Sequence, residues 1–436
     1  MNTKRSSLLS LVLAFVLGLC ACSSAGSGRS ITVLASWTGQ EQEAFQRVLD
    51  GFERQTGIKV NYTGTRALSQ LLSADVQKGQ PPDVAVVPSP GELSGYVKNG
   101  DVQPVDDVLG DHPENSYSRQ WLELMRLGRD KVYAVPVKTD LKSIVWYDPA
   151  AFPYQPPTSW EQLTAISDDL RAHSRTPWCL GMGATPVSGW PGTDWIEDIL
   201  LHQSGPVIYE QWASGKLAWT SAEVKQAWTT WGQAIQVQGG ALPALLTNFG
   251  DAGRPMFTNP QGCSLEHQGS FNVGTYKALS RNGQKLLPGK DFKYFPFPAL
   301  APAGDGSTEV SADLAAMFQP SDDARAFMKY LAGDEAQRAW PSLGTAFSAN
   351  NQVVRDTANP VYTDDVSKSI ARSLTSEHAL CYDASDLMPA RMSDAFSLAV
   401  LEFLGKPGSL DSLLGNLDKV RVNSQSNDQL DAACGR

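Results

Sequence analysis

Residues 31 to 87 switch repeatedly between period-two and period-3.6 apolar patterning, and this alternation limits the fold more than any other feature. Ile31-Thr-Val33-Leu-Ala35 alternates as a half-buried strand does. From Gly39 to Thr56, Phe45, Val48, Leu49 and Phe52 recur at i, i+3, i+4 and i+7, one face of a helix that Gly57 stops. Ile58, Val60 and Tyr62 alternate again, Leu68, Leu71, Leu72 and Val76 form a second helical stripe, and Gly79 ends it. Pro81-Pro82 then opens Asp83-Val-Ala-Val-Val87, an apolar run suited to a strand covered on both faces. The β-α-β-α-β order specifies a parallel sheet flanked by helices.

Open parallel sheets bind ligands beyond the carboxyl ends of their strands. Those ends are the loops Ser36-Trp37-Thr38-Gly39, Thr63 to Arg66 and Pro88-Ser89-Pro90-Gly91. Trp37, Thr38, Arg66 and Ser89 are therefore candidate ligand contacts. Val132 to Pro136 and Ser143 to Tyr147 read as extended segments around Lys138-Thr139-Asp140, where the chain crosses to a second lobe. Thr158 or Ser159 caps a helix, and further helices are expected around Trp195–Gln203 and Val224–Gln236. A proline-rich stretch from Phe295 to Pro302 crosses back, helices Ala324–Leu331 and Glu335–Trp340 rejoin the first lobe, and a third crossing lies near Thr345–Asn351.

Lys4 and Arg5 precede a short apolar stretch from Leu8 to Leu19, the pattern of a secretory signal and too short to span a bilayer comfortably. Leu19-Cys20-Ala21-Cys22-Ser23 looks like a lipobox with Cys22 as acceptor, so residues 1–21 are expected to be a signal peptide. Residues 22–30, rich in Gly and Ser, then form a flexible tether to an outer membrane face. An ordinary secretory signal with an incidental cysteine is the alternative. Cys179, Cys263, Cys381 and Cys434 remain, an even number that favours two disulfides in an exported chain and leaves three pairings open. Closely spaced Cys/His pairs are missing, so no metal is expected.

The formal charge of −10 makes nucleic acid an improbable partner. The sequence contains no G-x-S-x-G elbow, P-loop, H-E-x-x-H or G-x-G-x-x-G, so neither catalysis nor a bound cofactor is expected. Twelve tryptophans are more informative. Indole faces suit the C–H faces of pyranose rings, and carboxylates accept from hydroxyls. Ser188-Gly-Trp190-Pro-Gly-Thr-Asp194-Trp195 supplies both on one short stretch, whereas Trp121, Trp160, Trp228, Trp231 and Trp340 sit in helix-like contexts that favour packing. Asp140, His267, Gln268, Asp313 and Asp386 complete the candidate set, with core packing the alternative for His267 and helix capping for Asp313 and Asp386.

The lipobox, Trp37-Thr-Gly39, Pro81-Pro-Asp83-Val-Ala and Gly-Trp190-Pro-Gly-Thr-Asp194-Trp-Ile-Glu-Asp198 resemble family 1 extracellular solute-binding proteins. So do Phe249-Gly-Asp251, Cys263 through Phe271, Pro288-Gly-Lys-Asp291, Phe295-Pro-Phe-Pro298 and Asp383-Ala-Ser-Asp-Leu-Met-Pro389. The nearest subgroup looks like actinobacterial α-glucoside-binding lipoproteins of ATP-binding cassette importers. The resemblance implies a monomeric two-lobed fold, each lobe a mostly parallel sheet flanked by helices. Residues 31–140 plus about 303–346 would form one lobe, and 141–302 plus about 347–436 the other. It implies capture of a carbohydrate by hinge closure and delivery to a permease, and it favours Cys179–Cys263 with Cys381–Cys434. Two departures bear on specificity: Ser311-Ala312 replaces a glycine-rich run before Asp313, and Ser264 or Leu265 replaces a subgroup tryptophan. A receptor for a cation such as a polyamine, and less so an exported glycosidase, are the competing readings.

Overall fold

A computed structural model describes residues 28–236, 242–376, 380–424, 430 and 433–434. The signal peptide and Cys22 lie outside the described residues. The strands, in chain order, are β1 (Ser30–Ala35), β2 (Lys59–Gly64), β3 (Val84–Val87), β4 (Ala134–Leu141), β5 (Ile144–Tyr147), β6 (Leu265–His267), β7 (Ser280–Arg281), β8 (Gln284–Lys285), β9 (Lys293–Pro296), β10 (Thr308–Met317) and β11 (Leu380–Tyr382).

The first three strands follow the sequence pattern. β1 runs parallel to both β2 and β3, and the helix Gln40–Thr56 buries Phe45, Val48, Leu49 and Phe52 before Gly57 caps it in the left-handed region at φ 71°. β3 then pairs antiparallel with β10, which also carries β4 antiparallel and β11 parallel, so the six-stranded sheet is mixed. The second sheet, β6-β5-β9, is antiparallel throughout, not the mostly parallel sheet expected. β5 is the central strand, and both β6 and β9 run antiparallel to it.

Large aromatic side chains fill the space around this second sheet. The helix Trp190–Ala213 is buried along most of its length and turns at Gly205, φ 79°, before Pro206. A Cβ at Gly205 would stand 2.5 Å from the Ala303 carbonyl oxygen, so glycine is required by both backbone and space. Trp212, Trp219, Trp228 and Trp231 interlock with Phe396 and Phe403 of the helix Ala390–Gly405. Disulfides join Cys179 to Cys263 and Cys381 to Cys434. The first clips the Trp178 bridge onto β6, and the second ties the C-terminal segment to β11.

Beyond residue 347 the chain hydrogen-bonds several earlier helices. Ser348 donates to Gln337, the Asn351 amide donates to Ser116, and the Trp121 indole donates to the Leu374 carbonyl. Residues 348 to 374 thus keep contact with helices beside the six-stranded sheet.

Candidate functional site

β4 and β10 run side by side into the second sheet, and their pairing slips between Asp313 and Leu314. Asp313 faces Lys138 while Leu314 faces Pro136, so Val137 is an extra residue on β4. A bulge of this kind re-aims neighbouring side chains. Here it accompanies a buried charge cluster. The Lys138 ammonium lies 3.2 Å from Glu41, 3.5 Å from Asp140 and 4.0 Å from Asp313, and Arg66 holds the other Glu41 oxygen at 2.7 Å.

Burial works against charge on Lys138, but Asp140, Glu41 and Asp313 together raise its pKa above the ordinary range. Burial pushes Asp313 up to about 6 despite Lys138, and it raises Asp140 as well. Glu41 goes the other way, because Lys138 and Arg66 outweigh its burial. Aromatic rings close around the cluster. The Lys138 ammonium is 5.7 Å from the Phe271 ring and 5.9 Å from Trp340, and the Trp37 indole counters the effect of burial on Asp313.

A second cluster lies four residues along the chain from Lys138. Lys142 contacts Asp194 at 2.6 Å and Asp383 at 2.9 Å, and its ammonium is 5.2 Å from the Trp190 ring. Burial opposes its charge, yet Asp194 and Asp383 carry its pKa well above the usual value. Trp190 stands half-buried, edge-on to Phe249 at 4.8 Å and to Phe271 at 6.1 Å. Ser270, next to Phe271, donates to Asp140 at 2.9 Å and accepts from the Leu141 amide. The two clusters are therefore bridged by the segment from Ser270 to Phe271.

The sequence candidates divide accordingly. Arg66, Asp140 and Asp313 converge on Lys138, while Trp190 and Asp194 meet at Lys142. Thr38 is half-buried beside Trp37. Trp37 itself differs from the exposed indole expected: it is 1% exposed, packed against Phe45 and Trp340, and offers its N–H edge to Asp313. A glycine-containing loop context was a poor guide because the partner ring comes from residue 340. Ser89 caps the helix Pro90–Asn99 and donates to the Asp386 carbonyl at 2.7 Å; Asp386 is half-buried and its amide donates to Asp383.

His267 is not on a binding loop but on β6, buried between Trp195 and Phe297 with Nε2 held by Asp198 at 2.9 Å. Ser143 and His202 share the same carboxylate, and despite burial the two histidines hold Asp198 well below the usual range. This is a packed core network. Gln268 is also buried, its side-chain oxygen accepting from the Gly269 amide and its carbonyl from Trp146. Sequence reasoning missed Glu41, Lys138, Lys142, Phe249 and Phe271. The visible signal was Lys138-x-Asp140-x-Lys142, charges at every second position of an otherwise apolar run and so on one face of an extended chain.

The family model for bacterial extracellular solute-binding proteins matches residues 37–338, well over half of the chain. The chain belongs to that family. The solute-binding protein is 30% identical over 386 residues to the osmoprotective compounds-binding protein GgtB of Synechocystis, covering 86% of this chain and 89% of the relative. It is 29% identical over 403 residues to the alpha-glucosides-binding periplasmic protein AglE of Rhizobium meliloti, covering 89% and 86%. In fold it is similar to the bacterial solute receptor AcbH, TM-score 0.76 at 18% identity over 91% of this chain and 100% of the other. It is likewise similar to maltose-bound MalE3 of T. maritima, TM-score 0.70 at 16% identity over 91% and 100%. The protein is a receptor and not an enzyme, and it serves an ATP-binding cassette importer by binding a small solute. Among the described residues no helix is long and apolar enough to cross a membrane.

Proposed function

We propose that this solute-binding protein captures an uncharged carbohydrate, an α-glucoside or other small oligosaccharide, between two lobes that close about a hinge. β4 and β10 are the hinge strands, and the late return of residues 348–374 moves the second boundary of the first lobe from about 346 to about 375. The observation that carries the reading is the Lys138 cluster, where three carboxylates and two cations sit against aromatic rings. Carboxylates and ammonium groups accept from and donate to sugar hydroxyls, and the rings cover sugar C–H faces. Arg66, Lys138, Asp140, Asp313 and the Trp37 edge would contact one side of the sugar. Phe271 and Trp190 would contact the other, with Thr38 at the mouth and Asp194 setting Lys142 beneath Trp190.

The α-glucosides named for AglE support a neutral polyhydroxylated solute, and the osmoprotective compounds named for GgtB are compatible with one. A polyamine fits this chemistry less well, because Lys138 and Arg66 already neutralise much of the acidic charge. Closure requires the ligand to prefer the closed state, so contacts from both sides are needed. We further propose that Cys22 is lipidated after removal of residues 1–21 and that the bound solute is passed to a transmembrane permease. Titration with maltose, trehalose and related glucosides should change tryptophan emission, and Asp313→Asn should weaken the response. No emission change and no thermal shift across that panel would refute the reading.

A further inference from the structure

We infer that Asp194, Glu309 and Asp383 form a binding site for one divalent cation, with calcium the preferred ion. The three residues come from separate parts of the chain: the helix Trp190–Ala213, β10, and the turn after β11. One carboxylate oxygen of each lies within 4.8 Å of the others, and all three side chains are buried. Magnesium dehydrates reluctantly and keeps several waters, so a buried set of three protein carboxylates suits calcium better. An all-carboxylate donor set is also the hard-ligand chemistry that calcium takes.

Glu309 supplies an independent reason to place a ligand there. It is 0% exposed, and neither carboxylate oxygen has a hydrogen-bond partner among the described residues. Native proteins rarely leave a buried carboxyl unsatisfied on both oxygens. Protonation does not solve the problem, since an acid proton also needs an acceptor within reach. The resident cation is Lys142, which contacts Asp194 and Asp383 but does not hydrogen-bond Glu309. A single ammonium also faces four surrounding carboxyls, with Asp386 as the fourth. A divalent ion bonded to Glu309 would share Asp194 and Asp383 with Lys142 and offset more of that negative charge.

The consequence is mechanical. The Lys142 amide donates to the Glu309 carbonyl, the Glu309 amide to Ser143, and the Asp383 amide to Val310. An ion at this point would pin β10 to both the long helix and the turn after β11. It would also press the Lys142 ammonium towards Trp190. The inference stands without the sugar reading.

The test uses the whole protein stripped with EDTA and dialysed against calcium chloride or magnesium chloride. Elemental analysis should find about one calcium per chain, and calcium should raise the thermal midpoint by several degrees, magnesium by less. Glu309→Gln should lose both effects, while Glu266→Gln, at a separate buried acid, should keep them. Asp194→Asn is a second variant should the first not fold. No retained ion and no calcium-dependent shift in the native protein would overturn the site, as would calcium binding that survives both substitutions.

Discussion

If the Lys138 cluster holds a neutral sugar as proposed, affinity should depend on pH although the sugar does not titrate. Burial lifts Asp313 to about 6, so it is largely ionised at neutral pH and largely protonated at pH 5. A sugar hydroxyl that donates to the ionised carboxylate binds only that form. With the complex held ionised, the dissociation constant scales as one plus the ratio of protonated to ionised Asp313. That factor is close to one at pH 7.5 and about eleven at pH 5, or roughly 1.4 kcal/mol of binding free energy. Near pH 6, binding should release about half a proton per sugar.

Calorimetry with maltose or trehalose, whichever binds more tightly, measures both quantities when repeated in buffers of different ionisation enthalpy. Asp313→Asn removes the titration and a charge-assisted hydrogen bond worth about 1.5–3 kcal/mol, so its affinity should be low and nearly flat with pH. Any slope left in the variant belongs to Asp140, the other raised carboxyl at Lys138. A native affinity that changes less than about twofold from pH 7.5 to 5, with no proton released at pH 6, refutes Asp313 as the acceptor.

Other expectations test the surroundings. Lys138→Met should cost about 3–5 kcal/mol in denaturant unfolding because it strands buried carboxylates, and adding Asp313→Asn should recover part of the loss. Glu266 has no salt-bridge partner among the described residues, and burial pushes it up to about 8 even though the Tyr276 hydroxyl donates to it. Its folded pKa exceeds the unfolded one, so its contribution is full below about pH 4.5 and lost as pH rises through about 8, several kcal/mol in all. Thermal midpoints of Glu266→Gln should therefore fall less than those of the native protein between pH 6 and 9. Replacing Cys179 and Cys263 together by alanine should cost about 2–5 kcal/mol, read as a lower denaturation midpoint without change in secondary structure. Cys22→Ala should abolish incorporation of labelled palmitate and release the protein from membranes; unchanged labelling would place the anchor elsewhere.

Local patterns carried the first half of the fold well. The helix Gln40–Thr56 was readable because its apolar stripe, its C-terminal glycine and the neighbouring strands all lie between Ser30 and Gly64. Ser159 does accept from the Gln162 amide at the start of Trp160–Ala172, as a capping residue should. The second sheet was not readable, because β6 has three residues, β9 four, and their partner β5 lies more than a hundred residues away. The enclosure of Trp37 was unreadable for the same reason. Its loop looked like a rim, but Phe45 and Trp340 enclose the indole, and Trp340 arrives only after the chain has crossed the molecule twice.

The lysines expose a different limit. Composition treats Lys138 and Lys142 as surface charges, since lysine is seldom buried without partners. Here partners arrive from four elements: Glu41 on the first helix, Asp313 and Glu309 on β10, Asp194 on the long helix and Asp383 after β11. Lys138 on β4 and Lys142 just beyond its end each place an ammonium group beside an aromatic ring, Phe271 for one and Trp190 for the other. Lys142 follows directly after β4, so the two charge clusters are joined by one short stretch of chain, Lys138 to Lys142. The sequence shows the spacing, but only the fold shows that both lysines are buried, which makes their carboxylate partners a condition for folding as well as for binding.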